Sequence, residues 1–389
     1  MIKIISAGVV FLLLIVWWVL EFIVPAQVEL SQNIITLHEP YTISPAAQAL
    51  HDRILVADLH TDSLLWKRDL NKHDNRGHVD VPRLLAGNVA LQMFTAVTKS
   101  PDGQNYESNT SDSDIITYLA MVQLWPVNTW FSLLERVLYQ ADKLEQFANE
   151  SNNDLVFVKN QQDLTAVLAL RAKGSSQIAA LYGIEGAHSL EGKLDNVQIL
   201  FDAGVRMIGI THFFDNELAG SLHGISGAGL TEFGRKVVLK AVELGMIVDI
   251  AHASPAAVEE ILMLSDKPVI LSHGGMQGAC DTPRNLSDEL MKKVAAHGGL
   301  VGIGFWDGAV CDPSPVGVVK SIRYAIDTLG VDAVALGSDY DGTVEVTFDT
   351  AELAVLTQVM LEQDFSEDEI TKVMGANTVA FFSRYLPAH

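Results

Sequence analysis

The chain has few cysteines, few aromatic residues and few basic residues, and each shortage closes off a class of function. Of 389 residues only Cys280 and Cys311 are cysteine, and neither lies in a C-x-x-C pattern, so zinc ribbons and dithiol redox motifs are excluded. A disulfide between them and two free thiols both remain open, because sequence gives no separation in space. Aromatic residues make up 7%, too few for an aromatic binding platform. Lys and Arg number 26 against 48 Asp and Glu, a net charge of −22. A nucleic-acid partner, or an anionic membrane surface bound through a basic face, is not expected.

Hydrophobic residues form 49% of the chain, enough for a sizeable core. The run 4–24 is apolar apart from Ser6 and Glu21 and follows Lys3. At about 20 residues it can cross a bilayer as a helix. Two readings fit it: an uncleaved transmembrane anchor, or a secretory signal cut after Val24, Pro25 and Ala26. Its length and Pro25 favour the anchor, and both readings export the rest of the chain. The expected location is therefore membrane-anchored, with the catalytic domain on the periplasmic or extracellular side, or secreted if the segment is cleaved.

The expected organisation is a membrane segment over 1–26, a linker over 27–50 and a catalytic domain over 51–389. Apolar, strand-like runs at 54–60, 89–96, 178–184, 205–211, 247–252, 268–272, 300–305 and 333–338 alternate with helical stretches. Eight such units predict an α/β fold, a (β/α)8 TIM-type barrel with strands buried on both faces. An insertion near 99–150 opens with a loop rich in Ser, Asn, Asp and Gly. A helical stretch follows, with Trp125, Trp130 and Phe131 as candidates for its packing face. Its place after the second strand puts it where it can wall a substrate pocket.

Polar residues stand at the ends of these runs, where a barrel builds its active site. His60 and Asp62 are two apart, so period-2 alternation sends both to one face. Glu185 follows an apolar run and precedes Gly186; a carboxylate buried there needs a cation or hydrogen-bond donors. His252 and His273 are one βα unit apart and would face the same mouth. Each of these residues has a bland alternative as a cap or a satisfied core group, but five together match the nitrogen and oxygen ligands of a zinc pair. His212 ends another strand and suits either a sixth ligand or a group that polarises a carbonyl. Asp339 is placed for proton transfer, whereas Asp341, further into the loop, suits a structural role. Arg284 follows His273 in a loop and can hold a substrate carboxylate with its planar fork. Ser287 or Asp288 can cap the helix that follows. His188, His223 and His297 lack this context and are read as structural or surface residues.

Taken together, these motifs resemble the membrane dipeptidase family, also called renal dipeptidase-like, from about residue 50 to the C-terminus. The resemblance implies a (β/α)8 barrel with two zinc ions. It implies that His60 and Asp62 hold one zinc, that Glu185 bridges, and that His252 and His273 hold the other. By the same resemblance His212 polarises the substrate, Arg284 binds its carboxylate and Asp339 is the acid–base group. Ala187 and the pair Gly274 and Gly275 depart from the family pattern, and the insertion over 99–135 is its least family-like part. Animal members carry a C-terminal lipid anchor; this chain closes on Pro387, Ala388 and His389 without a hydrophobic tail, so anchoring is expected of the N-terminal helix.

The expected function is zinc-dependent hydrolysis of dipeptides by a hydroxide activated between two zinc ions. The resemblance extends this to dipeptides with a C-terminal D-residue, to β-lactam opening as a side activity, and to a homodimer. The alternative is a related binuclear amidohydrolase acting on N-acyl amino acids, lactones or β-lactams. A third reading, a binding protein that has kept the barrel, is disfavoured by the complete ligand set.

Overall fold

The computed structural model describes residues 23–388. Eight strands form the barrel: β1 (Val56–Thr61), β2 (Val89–Val97), β3 (Ile178–Glu185), β4 (Val205–Gly209), β5 (Ile247–Asp249), β6 (Ile270–Leu271), β7 (Leu300–Ile303) and β8 (Val334–Leu336). Each pairs in parallel with the next in sequence, and β8 returns to β1, so the sheet closes. Every residue in these strands is buried. Helices cover the outside and side chains fill the inside, which is why the strands read as continuous apolar runs rather than alternating ones. All eight expected strands are present.

Two small pairings decorate the barrel. Leu155–Phe157 pairs with the first residues of β3, beside the place where β4 takes over the same edge. Ile34–Ile35 pairs with Glu345–Val346. The stretch 27–50, expected as a linker, thus contributes ordered elements: that short strand, most of the helix Val24–Gln32, and the helix Pro45–His51.

The strands over 247–252 and 268–272 are shorter than expected, ending at Asp249 and Leu271. His252 has φ +61°, a left-handed conformation that no ladder continues, so it lies past its strand on a turn. The helix after β5 starts promptly, and that after β6 follows a longer loop. Ser254 and Ser287 accept hydrogen bonds from the amides of Ala257 and Leu290, capping Pro255–Leu264 and Asp288–Ala296. The turn after β5 is thereby short, whereas the loop after β6 runs from 272 to the cap Ser287, both at the carboxyl end of the barrel.

In the insertion, Ile115–Val122 and Leu133–Glu150 are helical. Trp125 is buried with Leu65, Trp66, Val97, Ile116 and Ala120; Trp130 is partly buried against them. Phe131 is instead 81% exposed. Cys280 and Cys311 are joined as a disulfide, closing the alternative left open by the sequence.

The membrane-anchored location is corrected. Among the described residues no helix is long and apolar enough to cross a membrane. The first described helix, Val24–Gln32, has nine residues, about 14 Å at 1.5 Å per residue, against a hydrocarbon core of about 30 Å. Its Glu29 is buried in an ion pair with Arg68 of the barrel domain. The apolar run 4–24, on which the expected transmembrane helix rested, lies up to residue 22 outside the described residues.

Candidate metal centre

β1 delivers two donors. His60 is on the strand, Asp62 just beyond it, and His60 Nε2 lies 3.4 Å from Asp62 Oδ1. Thr95 on β2 donates its hydroxyl to Asp62 Oδ1 at 2.7 Å and fixes that carboxylate. Glu185 is the last residue of β3. The chain must turn away at once, and Gly186 does so with φ +87°; a Cβ there would sit 2.4 Å from His188 Cε1.

Glu185 is the hub. Its Oε1 lies 3.0 Å from His252 Nε2, 3.2 Å from His273 Nε2 and 3.9 Å from His60 Nε2. Its Oε2 lies 3.2 Å from His212 Nε2. His252 Nε2 and His273 Nε2 approach to 3.0 Å. Asp339 Oδ1 lies 3.7 Å from His60 Nε2. Three groups of donor atoms gather within 4.8 Å of one another: His60, Glu185 and His273; Glu185, His212 and His252; His60, Asp62 and Asp339. All eight residues singled out from the sequence meet in one place, since Arg284 donates from Nη2 to the His273 carbonyl at 2.9 Å. They line a cavity of about 420 Å³, His60 excepted, which lies beneath it.

The electrostatics suit a cation. Burial, then the charges of Asp62 and Asp339, raise Glu185 well above the usual carboxylate range. Burial raises Asp339 to about 7, with Asp62 adding to the rise and His60 and Arg284 opposing it. His60 is pushed up to about 10: burial opposes its charge, but Asp62, Glu185 and Asp339 outweigh burial. Burial holds His252 and His273 well below their ordinary value, and His212 at about 4. The neutral imidazoles of His212, His252 and His273 are in the donor form that divalent ions bind, and the crowded carboxylates that raise His60 would favour a metal cation in place of its proton. Four histidines, two aspartates and one glutamate therefore fit a metal pair.

A supporting layer was not singled out from the sequence. Ser272 donates to Asp249 Oδ2 at 2.7 Å and lies 2.8 Å from His273 Nδ1. Asp58 takes hydrogen bonds from Gln92 Nε2 at 2.8 Å and Ser338 Oγ at 2.7 Å, beneath His60. The signal was available: Asp58 and Asp249 are carboxylates inside buried apolar runs, and such groups need donors. His188 and His223 are buried, not surface residues. His188 lies 2.9 Å from Thr98 Oγ1, and His223 Nδ1 lies 2.9 Å from the Tyr106 carbonyl. The insertion does wall the cavity, through residues from Ser100 to Tyr106 with Ile115 and Ile116; Gln32 of the first helix joins them.

A closed parallel barrel with a histidine–carboxylate cluster at its carboxyl end defines a metal-dependent hydrolase. The family model for membrane dipeptidase (Peptidase family M19) matches residues 45–384. The chain belongs to that family, and it is a metallopeptidase, a hydrolase of the dipeptidase kind. An uncharacterised dipeptidase of Schizosaccharomyces pombe is 25% identical over 320 residues, 79% of this chain and 72% of the relative. A metallopeptidase of Rhodobacter sphaeroides, solved with a phosphinate mimic of the dipeptide L-Ala-D-Ala, superposes with TM-score 0.71 at 22% identity, covering 85% of this chain and 99% of that one. The probable dipeptidase PvdM of Pseudomonas aeruginosa gives TM-score 0.72 at 18% identity, covering 88% and 98%. At these identities the structural likenesses speak for the fold.

Proposed function

We propose that the site takes two zinc ions and cleaves dipeptides with a free C-terminal carboxylate, including those ending in a D-residue. The observation that carries the carboxylate is Arg284. It is buried at 2% exposure, it lines the cavity, and among the described residues no carboxylate pairs with it. A buried, unpaired guanidinium beside a metal cluster is a receptor for an anion.

In this reading His60, Asp62 and Glu185 hold one ion, and Glu185, His252 and His273 the other. When bound, such a pair supplies a water of lowered pKa and Lewis-acid polarisation of the carbonyl. The chain's own groups do the rest. Arg284 fixes the carboxylate end and so sets which amide bond lies over the cluster. Asp339, in the cavity wall with Oδ1 3.7 Å from His60 Nε2, is placed to take a proton and pass it to the leaving amine. His212 has Nδ1 3.2 Å from the Lys99 carbonyl, an acceptor, so that nitrogen carries hydrogen. With Nδ1–H on the Lys99 carbonyl, donation from Nε2 to a substrate carbonyl requires a second proton on the ring, since only the imidazolium donates from both nitrogens. The Rhodobacter relative's L-Ala-D-Ala mimic supports a D-residue at the second position.

The test is hydrolysis of a panel of L-L and L-D dipeptides by the full chain, before chelation, after it, and after zinc is restored. Cleavage lost on chelation and regained with zinc is expected. A folded, zinc-loaded protein that leaves every dipeptide intact would overturn the substrate reading and redirect attention to N-acyl amino acids, lactones and β-lactams.

A further inference from the structure

One hydrogen in the cavity wall lacks a protein acceptor. Tyr106 comes from the loop 99–114 of the insertion and lines the cavity. The Trp306 Nε1–H donates to its hydroxyl oxygen at 2.8 Å. An indole nitrogen is only a donor, so the phenol oxygen accepts and its own hydrogen is left to give. Among the described residues no acceptor takes it.

The ring is held in place from behind. It stacks on Phe213 at 5.9 Å between centroids and meets His223 at 5.5 Å. Asn109, three residues on, donates to the His223 carbonyl from its backbone at 2.8 Å and its side chain at 3.0 Å. The loop is thereby clamped to the segment after β4, and the tyrosine does not swing freely.

Trp306 has a second neighbour. The Arg284 guanidinium carbon lies 5.4 Å from its ring centroid. One indole thus carries the guanidinium over its face and the phenol at its edge, and both open on the same cavity. Burial raises the Tyr106 hydroxyl's pKa, and the Arg284 charge is the largest influence pulling it down. A group that satisfies both must accept several hydrogen bonds and carry negative charge. A carboxylate does so; a carboxamide brings no charge and one fewer accepting oxygen.

We propose that Tyr106 is a substrate-binding residue whose hydroxyl donates to the same substrate carboxylate that Arg284 holds. This rests on the carboxylate reading of Arg284. The pair makes the site selective for an acid terminus.

The experiment compares kcat/KM for one dipeptide and its C-terminal amide in the wild type, Tyr106→Phe and Arg284→Ala, with zinc content and Tm measured on each. Tyr106→Phe keeps the ring and its packing, and leaves the Nε1–H of the buried Trp306 without its acceptor. The expected result is a fall of about 10-fold in the acid-over-amide preference, the loss of one hydrogen bond to a charged group, expressed in KM with zinc content unchanged and Tm lowered only by the loss of the Trp306 acceptor, a loss that acts on acid and amide alike. A Tyr106→Phe protein that keeps the wild-type preference, or loses activity equally on acid and amide, overturns the assignment while Arg284→Ala still abolishes the preference. Arg284→Ala that keeps the preference sinks the Arg284 reading itself, and the Tyr106 role with it.

Discussion

Glu185 Oε1 lies 3.0 Å from His252 Nε2, although 67 positions separate the two residues in the chain. Contacts to three further histidines make Glu185 the one residue common to both proposed ion sites. Glu185→Ala should therefore lower bound zinc from both positions rather than one. Outer-shell substitutions at metal sites cost about 10–100-fold, so loss of this direct ligand should cost more than about 100-fold in kcat/KM. Metal analysis of the purified variant is the check, and a full zinc complement would refute the bridging role.

Ser272 should matter without touching an ion. Its hydroxyl donates to Asp249 and lies beside His273 Nδ1, so it sets which way the imidazole faces. Ser272→Ala should weaken metal affinity by about 10–100-fold while the barrel stays folded. Competition with a chelator reads the affinity, and circular dichroism reads the fold.

How far the sequence reveals this arrangement follows from the physics of each part. The eight strands are legible because burial on both faces leaves an unbroken apolar run. The donors are legible because each interrupts such a run at its carboxyl end. The backbone conformation beyond the strand ends is not. His252 and Asp339 both sit at φ +61°, and Asp341 at φ +62°, backbone states that no local pattern of Val, Ile and Leu foretells. Tyr106 is invisible for another reason: it lies in a polar loop, and its value comes from Trp306, 200 positions away. Asp341 was read as structural, and it is: it binds Ser63 Oγ, Arg68 and the amide of His78.

Arg284→Ala should raise KM for dipeptides by about 10–100-fold, the range for a hydrogen bond to a charged partner, and leave zinc content unchanged. Steady-state kinetics at saturating zinc separates the two effects. An unchanged KM would remove Arg284 from the substrate site.

His78 gives the fold a pH limit away from the metal cluster. The Asp341 amide donates to its Nδ1 at 2.9 Å, so the ring is neutral with its hydrogen on Nε2, facing the Ile34 carbonyl at 3.3 Å. Burial lowers its pKa to about 4, with Asp341 opposing. The unfolded histidine titrates near 6.5 and binds the proton first as pH falls. Its contribution is therefore complete above about pH 6.5 and is lost by about pH 4, with an upper size of about 3 kcal/mol. Thermal melts should show Tm falling through that window, and His78→Gln should flatten the fall. An identical slope in the variant would remove His78 from the explanation.

The disulfide between Cys280 and Cys311 spans 31 positions and fastens the loop that carries Arg284 to the segment after β7. Asn285, next to Arg284, reinforces the same junction by donating to the carbonyls of Cys280 and Ala309 at 2.9 and 2.8 Å. Closing a loop of that length stabilises a fold by about 3–4 kcal/mol in the chain-entropy account. Replacing both cysteines with serine should lower Tm correspondingly. Because the covalent tie and the Asn285 bonds hold one loop, the double variant should also raise KM, while the proposed zinc ligands, of which only His273 lies on this loop and there at its start beside β6, should keep the metal in place. A lower Tm with KM unchanged would show that the hydrogen bonds alone position Arg284, and that the disulfide serves stability only.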